Sequence, residues 1–188
     1  EEGEEIISAQ LPSLRVLDVC TGSGCIACAI ASEYPAAKVL ALDIADEPLR
    51  LAKENVEILE LEDRVEVRKS NLLQSLSEEE QGSFDLLISN PPYIPTAVLQ
   101  GLDREVTDFE PRLALDGGED GLDLVRILIK ESLDVLKPNG VLALELFEGH
   151  LDEAALLANE AGFMEVRIVR DLANRPRVLI AHAPEKGF

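Results

Sequence analysis

Short apolar runs alternate with amphipathic stretches along most of the chain, and this alternation constrains the fold more than any other feature. Runs of five or six residues rich in Val, Ile and Leu predict buried strands, and the longer stretches between them have helical spacing. We predict strands at 15–19, 38–43, 65–69, 84–89, 141–146, 165–170 and 177–182, and helices at 25–34, 47–59, 122–136 and 151–161. This order indicates the α/β class: a doubly wound, mostly parallel, seven-stranded Rossmann-like sheet with an antiparallel C-terminal strand.

The length and charge limit the domain organisation and the classes of partner. A chain of 188 residues fits one domain, 1–188, with 1–13 as a lead-in to the first strand. No apolar run reaches membrane length, and the acidic N-terminus lacks the basic start of a signal peptide. A net charge of −20 disfavours direct binding to nucleic acid. We therefore expect a cytoplasmic protein, or alternatively one of the mitochondrial matrix, that binds neither nucleic acid nor membrane.

Three cysteines lie close together, and they raise the question of a metal site. Cys20, Cys25 and Cys28 have the C-x4-C-x2-C spacing that begins one type of iron–sulfur ligand run. There is no fourth cysteine, however, and His150 and His182 are far apart in the sequence. We interpret the cysteines as small buried side chains and predict no metal. The lack of a disulfide framework favours a reducing compartment.

A glycine-containing loop, DVCTGSG, follows the first predicted strand. Gly22 and Gly24 allow a ligand to approach the backbone closely. Ala27 occupies the third position of a G-x-G-x-x-G/A pattern, so the spacing does not exclude a dinucleotide. Asp43, at the end of the second strand, could accept hydrogen bonds from both hydroxyls of a ribose, and Asp18 would suit an ammonium group better than a phosphate. This favours a nucleoside cofactor without a pyrophosphate; the alternative is a tight turn with a capping acid.

The fourth predicted strand ends in N-P-P-Y. Asn90 and Pro91 both precede a proline, which restricts both to extended geometry. The result is a stiff corner that presents an amide side chain, free carbonyl groups and one aromatic ring. The Asn90 side-chain oxygen and the Pro91 carbonyl could accept the two N–H groups of an amide or an amine. Such a grip would fix the orientation of the bound nitrogen.

Together, D-x-x-T-G-S-G, the strand-end acid and N-P-P-Y resemble the motifs of class I S-adenosylmethionine-dependent methyltransferases. Two further stretches, DFEPRLALDGGEDGLDLVRILI at 108–129 and RDLANRPRVLIA at 170–181, are similar to segments of the release-factor glutamine methyltransferases, the HemK/PrmC family. The resemblance runs from about Val16 to Ala181. The combination of N-P-P-Y with F-E-P and L-D-G-G-x-D-G-L is highly specific.

The resemblance implies an enzyme that uses S-adenosyl-L-methionine to methylate the N5 amide of the glutamine in the Gly-Gly-Gln motif of class 1 peptide-chain release factors. It implies that the N-P-P-Y corner is catalytic, with Asn90 also next to the cofactor. The catalytic residues would be Asn90, Pro91, Pro92 and Tyr93, and the cofactor would contact Cys20, Thr21, Gly22, Ser23, Gly24, Asp43, Asn71, Leu72 and Asn90.

The sequence departs from the family pattern in several places. Cys20 stands where the family loop often has Gly, and Asn71 stands where an Asp commonly lies near the adenine. The helical N-terminal domain of the family is not found, so we expect a catalytic domain alone. Glu110 is a candidate site residue or a capping or surface acid, Phe109 is expected to pack, and 117–121 is expected to be a loop without a catalytic role.

Other functions remain open at this level. The N-P-P-Y corner would also suit an exocyclic amine of a nucleic acid base, although the charge opposes that substrate. A nucleotide-binding dehydrogenase is compatible with the glycine loop. A non-catalytic adaptor with the same fold is disfavoured by the intact N-P-P-Y.

Overall fold

The structure, a computed structural model, describes residues 12–99, 101 and 112–185. Its seven strands are β1 (Leu14–Val19), β2 (Ala37–Asp43), β3 (Val65–Lys69), β4 (Phe84–Ser89), β5 (Leu136–Glu145), β6 (Met164–Arg170) and β7 (Pro176–His182). The described helices are α1 (Cys25–Glu33), α2 (Asp46–Ile58), α3 (Thr96–Leu99), α4 (Asp123–Val135) and α5 (Leu151–Ala161), with 3-10 turns at Glu78–Glu80, Arg112–Ala114 and Glu148–His150.

The strands form one sheet in the order β3-β2-β1-β4-β5-β7-β6. The pairs from β3 to β5 are parallel, and β7 is antiparallel to both of its neighbours, β5 and β6. The predicted fold class is therefore confirmed, including the antiparallel C-terminal strand. No helix in the described ranges is long and apolar enough to span a membrane.

Two apolar layers cover opposite faces of the sheet, because successive side chains of a strand point to opposite sides. On one face Leu17 of β1 belongs to the core cluster that includes α4 and α5. On the other face Val16 belongs to the cluster that includes Ala27 of α1 and Val56 of α2. Both faces of the central strands are thus buried, which explains their nearly continuous apolar sequence.

The start of β5 differs from the prediction. Leu136 already pairs with Phe84, whereas the continuous register with β4 begins at Val141, so four residues, 137–140, loop out of the ladder. Pro138 lacks an N–H for the ladder, and Asn139 has a φ of 63°. The sequence pattern identified only the regular part of this strand.

The parallel register places three strand ends at one edge of the sheet. Val19 at the end of β1 lies beside Leu42 of β2 and Ser89 of β4. The residues that follow these strands are the glycine loop, Asp43 and the N-P-P-Y corner. This is the edge at which doubly wound sheets bind ligands.

Candidate active site

The glycine loop turns sharply between β1 and α1. Cys20, Gly22 and Gly24 all have positive φ values, of 59°, 57° and 79°. A non-glycine residue is uncommon in this conformation, so Cys20 occupies a position that glycine would fill with less strain. The Thr21 amide donates to the Leu42 carbonyl at 2.9 Å, which ties the loop to β2.

Asp18 holds the loop together from within. Its side chain is fully buried, and its Oδ2 accepts hydrogen bonds from the Thr21 hydroxyl at 2.6 Å and the Ala27 amide at 3.1 Å. Burial raises the pKa of this carboxyl to about 6. The Asp18 side chain is enclosed behind the loop and is not among the residues that line the cavity described below, so its expected contact with an ammonium group stays a prediction.

Asp43 links the end of β2 to the loop. Its Oδ2 accepts a hydrogen bond from the Gly22 amide at 2.9 Å, and its Oδ1 accepts one from the Ala45 amide at 3.0 Å. Each carboxylate oxygen has more than one lone pair, so both can still accept a hydroxyl. The two amide contacts fix the plane of the carboxylate at the cavity wall.

The segment after β3 forms another part of the wall. The Ser70 amide donates to the Asp43 carbonyl at 2.8 Å, and Leu72 has a φ of 48°. Asn71 is exposed, and its carbonyl accepts from the Gln74 amide at 3.1 Å in a turn. The Asn71 side chain and the apolar Leu72 therefore stand beside Asp43.

The N-P-P-Y corner is connected to the glycine loop through the residue before it. Ser89 is fully buried, and its hydroxyl donates to the Val19 carbonyl at 2.5 Å. Asn90 is exposed at the end of β4, Pro91 is buried, and Pro92 and Tyr93 are half-buried. The corner thus stands on a rigid link between β4 and β1.

One cavity of about 420 Å³ joins these elements. Among the residues named from the sequence, its walls contain Cys20, Thr21, Gly22, Ser23, Asp43, Asn71, Leu72, Asn90 and Pro92. Gly24, Pro91 and Tyr93 are not among its lining residues. Gly24 instead contacts α2, where a Cβ would lie 3.2 Å from the Ala52 Cβ.

The walls also contain residues that the sequence analysis did not select. They are Val19, Cys25, Ile26, Leu42, Ile44, Ala45, Pro48, Ser70, Leu113, Ala114 and Leu124. Most are apolar and carry no local signal of function. Leu113 and Ala114 come from the segment after residues 102–111. That stretch includes Phe109 and Glu110, and those two candidates lie outside the described residues.

The chemistry of the walls favours a neutral or cationic ligand over a phosphate. Asp43 supplies a carboxylate, Asn90 supplies an amide, and no described lining residue is a lysine, arginine or histidine. Helix α1 begins beside the loop, but a pyrophosphate would still lie close to Asp43. The cavity volume is within the usual range for small-molecule sites.

The described residues contain no group of three or more His, Cys, Asp or Glu side chains arranged to hold a metal ion. Cys25 is exposed, Cys20 is half-buried and Cys28 is buried. Burial and the nearby Asp43 raise the pKa of the Cys20 thiol to about 12. The absence of a bound metal remains a prediction from the sequence.

Comparison with curated proteins identifies long matching segments. A release factor glutamine methyltransferase of Caulobacter vibrioides is 44% identical over 168 residues, which are 89% of this chain and 57% of that protein. A protein of the same name from Clostridium acetobutylicum is 40% identical over 167 residues, 89% of this chain and 58% of that protein. The resemblance inferred from the sequence is confirmed, and the chain spans less than two thirds of the length of these relatives.

Among solved structures, a methyltransferase from Pyrococcus furiosus superimposes with a TM-score of 0.67. The match covers 96% of this chain and 82% of that chain at 20% identity. At this level of identity the match supports the fold alone. The family model described as the methyltransferase small domain matches residues 2–101, which contain the glycine loop, Asp43 and N-P-P-Y. This chain therefore belongs to the methyltransferase small domain family.

Proposed function

We propose that the chain is the catalytic part of a release factor glutamine methyltransferase. It would transfer the methyl group of S-adenosyl-L-methionine to the N5 amide nitrogen of the glutamine in the Gly-Gly-Gln motif of class 1 peptide-chain release factors. The observation that carries the proposal is the position of Asn90, which lines the same cavity as the glycine loop and Asp43. An amide-gripping side chain and a nucleoside-binding wall therefore share one space.

The residues of the cavity fit this cofactor. We assign the ribose hydroxyls to the Asp43 carboxylate, whose orientation is fixed by the Gly22 and Ala45 amides. Asn71 and Leu72 would border the adenine, and the loop from Cys20 to Gly24 would border the methionine part. Ile26 and Leu124 add apolar surface. Bound there, the cofactor supplies an electrophilic methyl group on a positively charged sulfur.

The N-P-P-Y corner would hold the acceptor. An amide nitrogen is a weak nucleophile because its lone pair is delocalised into the carbonyl group. The Asn90 side-chain oxygen and the Pro91 carbonyl would accept its two N–H groups and aim the lone pair at the methyl carbon. The N–C bond would form as the C–S bond of the cofactor breaks, and the sulfur would keep the electron pair. The positively charged amide nitrogen then loses a proton to water.

Tyr93 and Pro92 would shape the corner around the glutamine side chain. Pro92 reaches the cavity wall, whereas Tyr93 lies outside the described lining. We therefore place Pro92 at the edge of the cofactor site and Tyr93 on the acceptor side.

The direct test is methylation of purified class 1 release factor with isotope-labelled S-adenosyl-L-methionine, followed by mass mapping of the modified residue. Label on the glutamine of Gly-Gly-Gln supports the proposal. RNA and DNA are included as alternative acceptors. Label on a nucleobase, or no label on release factor while the cofactor binds, would overturn it.

The variant Asn90→Ala tests whether this side chain holds the acceptor amide. Loss of a hydrogen bond made in the transition state lowers rates by about 10²–10³. We expect kcat to fall by that factor, while the affinity for S-adenosyl-L-methionine changes no more than several-fold. Calorimetry measures the affinity and single-turnover methylation measures the rate. A variant that keeps more than half of the activity removes Asn90 from the proposed role.

A further inference from the structure

The N-P-P-Y corner is held from behind by a second segment, residues 112–123, which we call the brace. Its sequence is RLALDGGEDGLD, and the part at 117–121 is expected from the sequence to be a loop and helix start without a catalytic role. In the structure it runs from the cavity wall at Leu113 and Ala114 to the start of α4 at Asp123. It therefore connects the proposed cofactor site to the back of the acceptor corner.

Backbone hydrogen bonds join the brace to the residue after Tyr93. The Ile94 amide donates to the Leu115 carbonyl at 3.0 Å, and the Gly117 amide donates to the Ile94 carbonyl at 2.9 Å. Ile94 and Asp116 thus form an isolated parallel bridge outside the main sheet. This bridge fixes the direction in which the chain leaves the N-P-P-Y corner.

Two glycines of the brace pack directly on Tyr93. A Cβ at Gly117 would lie 2.7 Å from the Tyr93 Cα, and a Cβ at Gly121 would overlap the Tyr93 carbonyl oxygen. Gly121 also has a φ of 84°. Because neither position leaves room for a side chain, the brace and the corner are in backbone-to-backbone contact.

One carboxylate gathers the polar groups of this contact. Asp116 Oδ1 accepts hydrogen bonds from the Thr96 hydroxyl at 2.6 Å and the Gly118 amide at 3.1 Å. Its Oδ2 accepts from Arg112 Nε at 3.3 Å. The Thr96 amide in turn donates to the Gly118 carbonyl at 2.8 Å. Thr96, in the segment after the corner, is therefore joined to the brace twice: its hydroxyl to Asp116 and its amide to Gly118.

We propose that Asp116 is a positioning residue for methyl transfer, acting through Thr96 and the Ile94 bridge to keep the Asn90 and Pro91 oxygens aimed at the acceptor nitrogen. Asp116 is not a lining residue of the cavity and makes no contact with either reactant in this scheme. Small errors in the placement of reacting groups can reduce rates by about 10²-fold. The inference rests on the proposed function, since it assigns the support for that same corner.

The variants separate geometry from charge. Asp116→Asn keeps an oxygen for Thr96 and Gly118 but removes the negative charge, whereas Asp116→Ala removes both. Thr96→Ser keeps the hydroxyl that Asp116 accepts, whereas Thr96→Val removes it. Asp120→Asn is the control, because Asp120 belongs to the same segment but accepts from the Leu122 amide and pairs with Arg126 instead of reaching Thr96.

The measurements are kcat and KM for release factor, the S-adenosyl-L-methionine affinity, and hydrogen exchange of the Ile94 and Gly117 amides. We expect Asp116→Ala and Thr96→Val each to lower kcat about 10- to 100-fold. Both should speed exchange of the two amides and leave cofactor affinity within twofold. Asp116→Asn, Thr96→Ser and Asp120→Asn should stay close to wild type. The double variant Thr96→Val/Asp116→Ala should be no worse than Asp116→Ala alone, since the bond that Thr96→Val removes is already lost there.

The outcomes distinguish the two proposals. A wild-type chain that binds cofactor but does not methylate release factor contradicts the proposed function, and the exchange data then report on the brace alone. Active wild type with unchanged kcat in Asp116→Ala and Thr96→Val overturns the positioning role. A parallel loss of cofactor affinity and kcat would also overturn it, because a general loss of folding, rather than acceptor placement, would be the cause.

Discussion

At the scale of single residues, burial decides what each acidic side chain can do. Asp18 and Asp43 both follow apolar strand residues and both accept backbone N–H groups of the glycine-loop region. Asp43 reaches the cavity wall and Asp18 is enclosed. From the sequence, both carboxylates are candidate ligand acceptors. The sequence does not distinguish them, because the spacing of residues along a strand does not reveal how deeply the following loop covers them.

The enclosure of Asp18 predicts a pH dependence of stability. Its folded-state pKa is raised from 3.8 to about 6, so the folded protein binds this proton more tightly than the unfolded chain. The stability that the protonated Asp18 contributes to the fold is fully present below about pH 4 and is lost as the pH rises through about 6. The loss amounts to about 3 kcal/mol, at 1.36 kcal/mol for each pKa unit.

Asp18→Asn does not titrate, and its amide oxygen can still accept from Thr21 and Ala27. The unfolding free energy of wild type minus that of the variant should therefore fall between pH 4 and pH 7. Urea titrations at several pH values measure it. A difference that stays constant over this range would show that the carboxyl titrates normally in the fold, and one that grows with pH would show that its pKa is lowered.

At the scale of secondary structure, most of the architecture was predictable and the irregular parts were not. Periodicity located β1 to β4 within one residue at each end, because buried parallel strands carry a local signal. The looped-out residues 137–140 and the contact of Gly117 with Tyr93 depend on partners distant in sequence. The sequence shows Gly117 and Gly121, but only the fold shows that they allow the brace to pack against the Tyr93 backbone.

Gly24 and Gly22 provide a test of how closely α1 approaches α2. Both have positive φ, so Ala at either position costs roughly 1–2 kcal/mol of backbone strain. At Gly24 the new Cβ would also press on the Ala52 Cβ at 3.2 Å, whereas at Gly22 it would meet nothing within 4 Å. Gly24→Ala should therefore destabilise the protein by about 1–3 kcal/mol more than Gly22→Ala.

Chemical denaturation of the two variants without cofactor gives this difference directly. Equal losses would mean that α2 moves away without cost and that the close approach is not a constraint on the fold. Cofactor affinity is recorded separately, because Gly22 also lines the cavity.

At the scale of the whole molecule, the chain contains the proposed catalytic site but matches only part of each longer relative. The matched residues are 57% and 58% of the two relatives compared above. A standard protein–protein interface buries about 1,600 Å² in total. A corner that holds one glutamine side chain supplies little of that area, so we propose that part of the release-factor contact belongs to the N-terminal domain that the family resemblance implies.

This predicts a defect in KM rather than in kcat for the 188-residue chain. Remote contacts contribute equally to the ground state and the transition state, so their loss weakens binding without slowing chemistry. Fusing the N-terminal part of the Caulobacter relative ahead of Glu1 should lower KM for release factor with little change in kcat. If the unfused chain binds release factor as tightly as the fusion, the recognition surface lies within these residues, and the segment from Ile94 to Gly118 is where substitutions should be made first.

The position of β7 has a consequence for how the protein is made. β7 follows β6 in the chain but lies between β5 and β6, and the described part of β6 pairs with β7 alone. During synthesis the strands around the cavity, β1 to β5, can assemble in the order in which they emerge. β6 then has no strand to pair with until β7 has been translated. For that interval the edge of β5 is open, and an open strand edge can pair with other chains and is prone to aggregation.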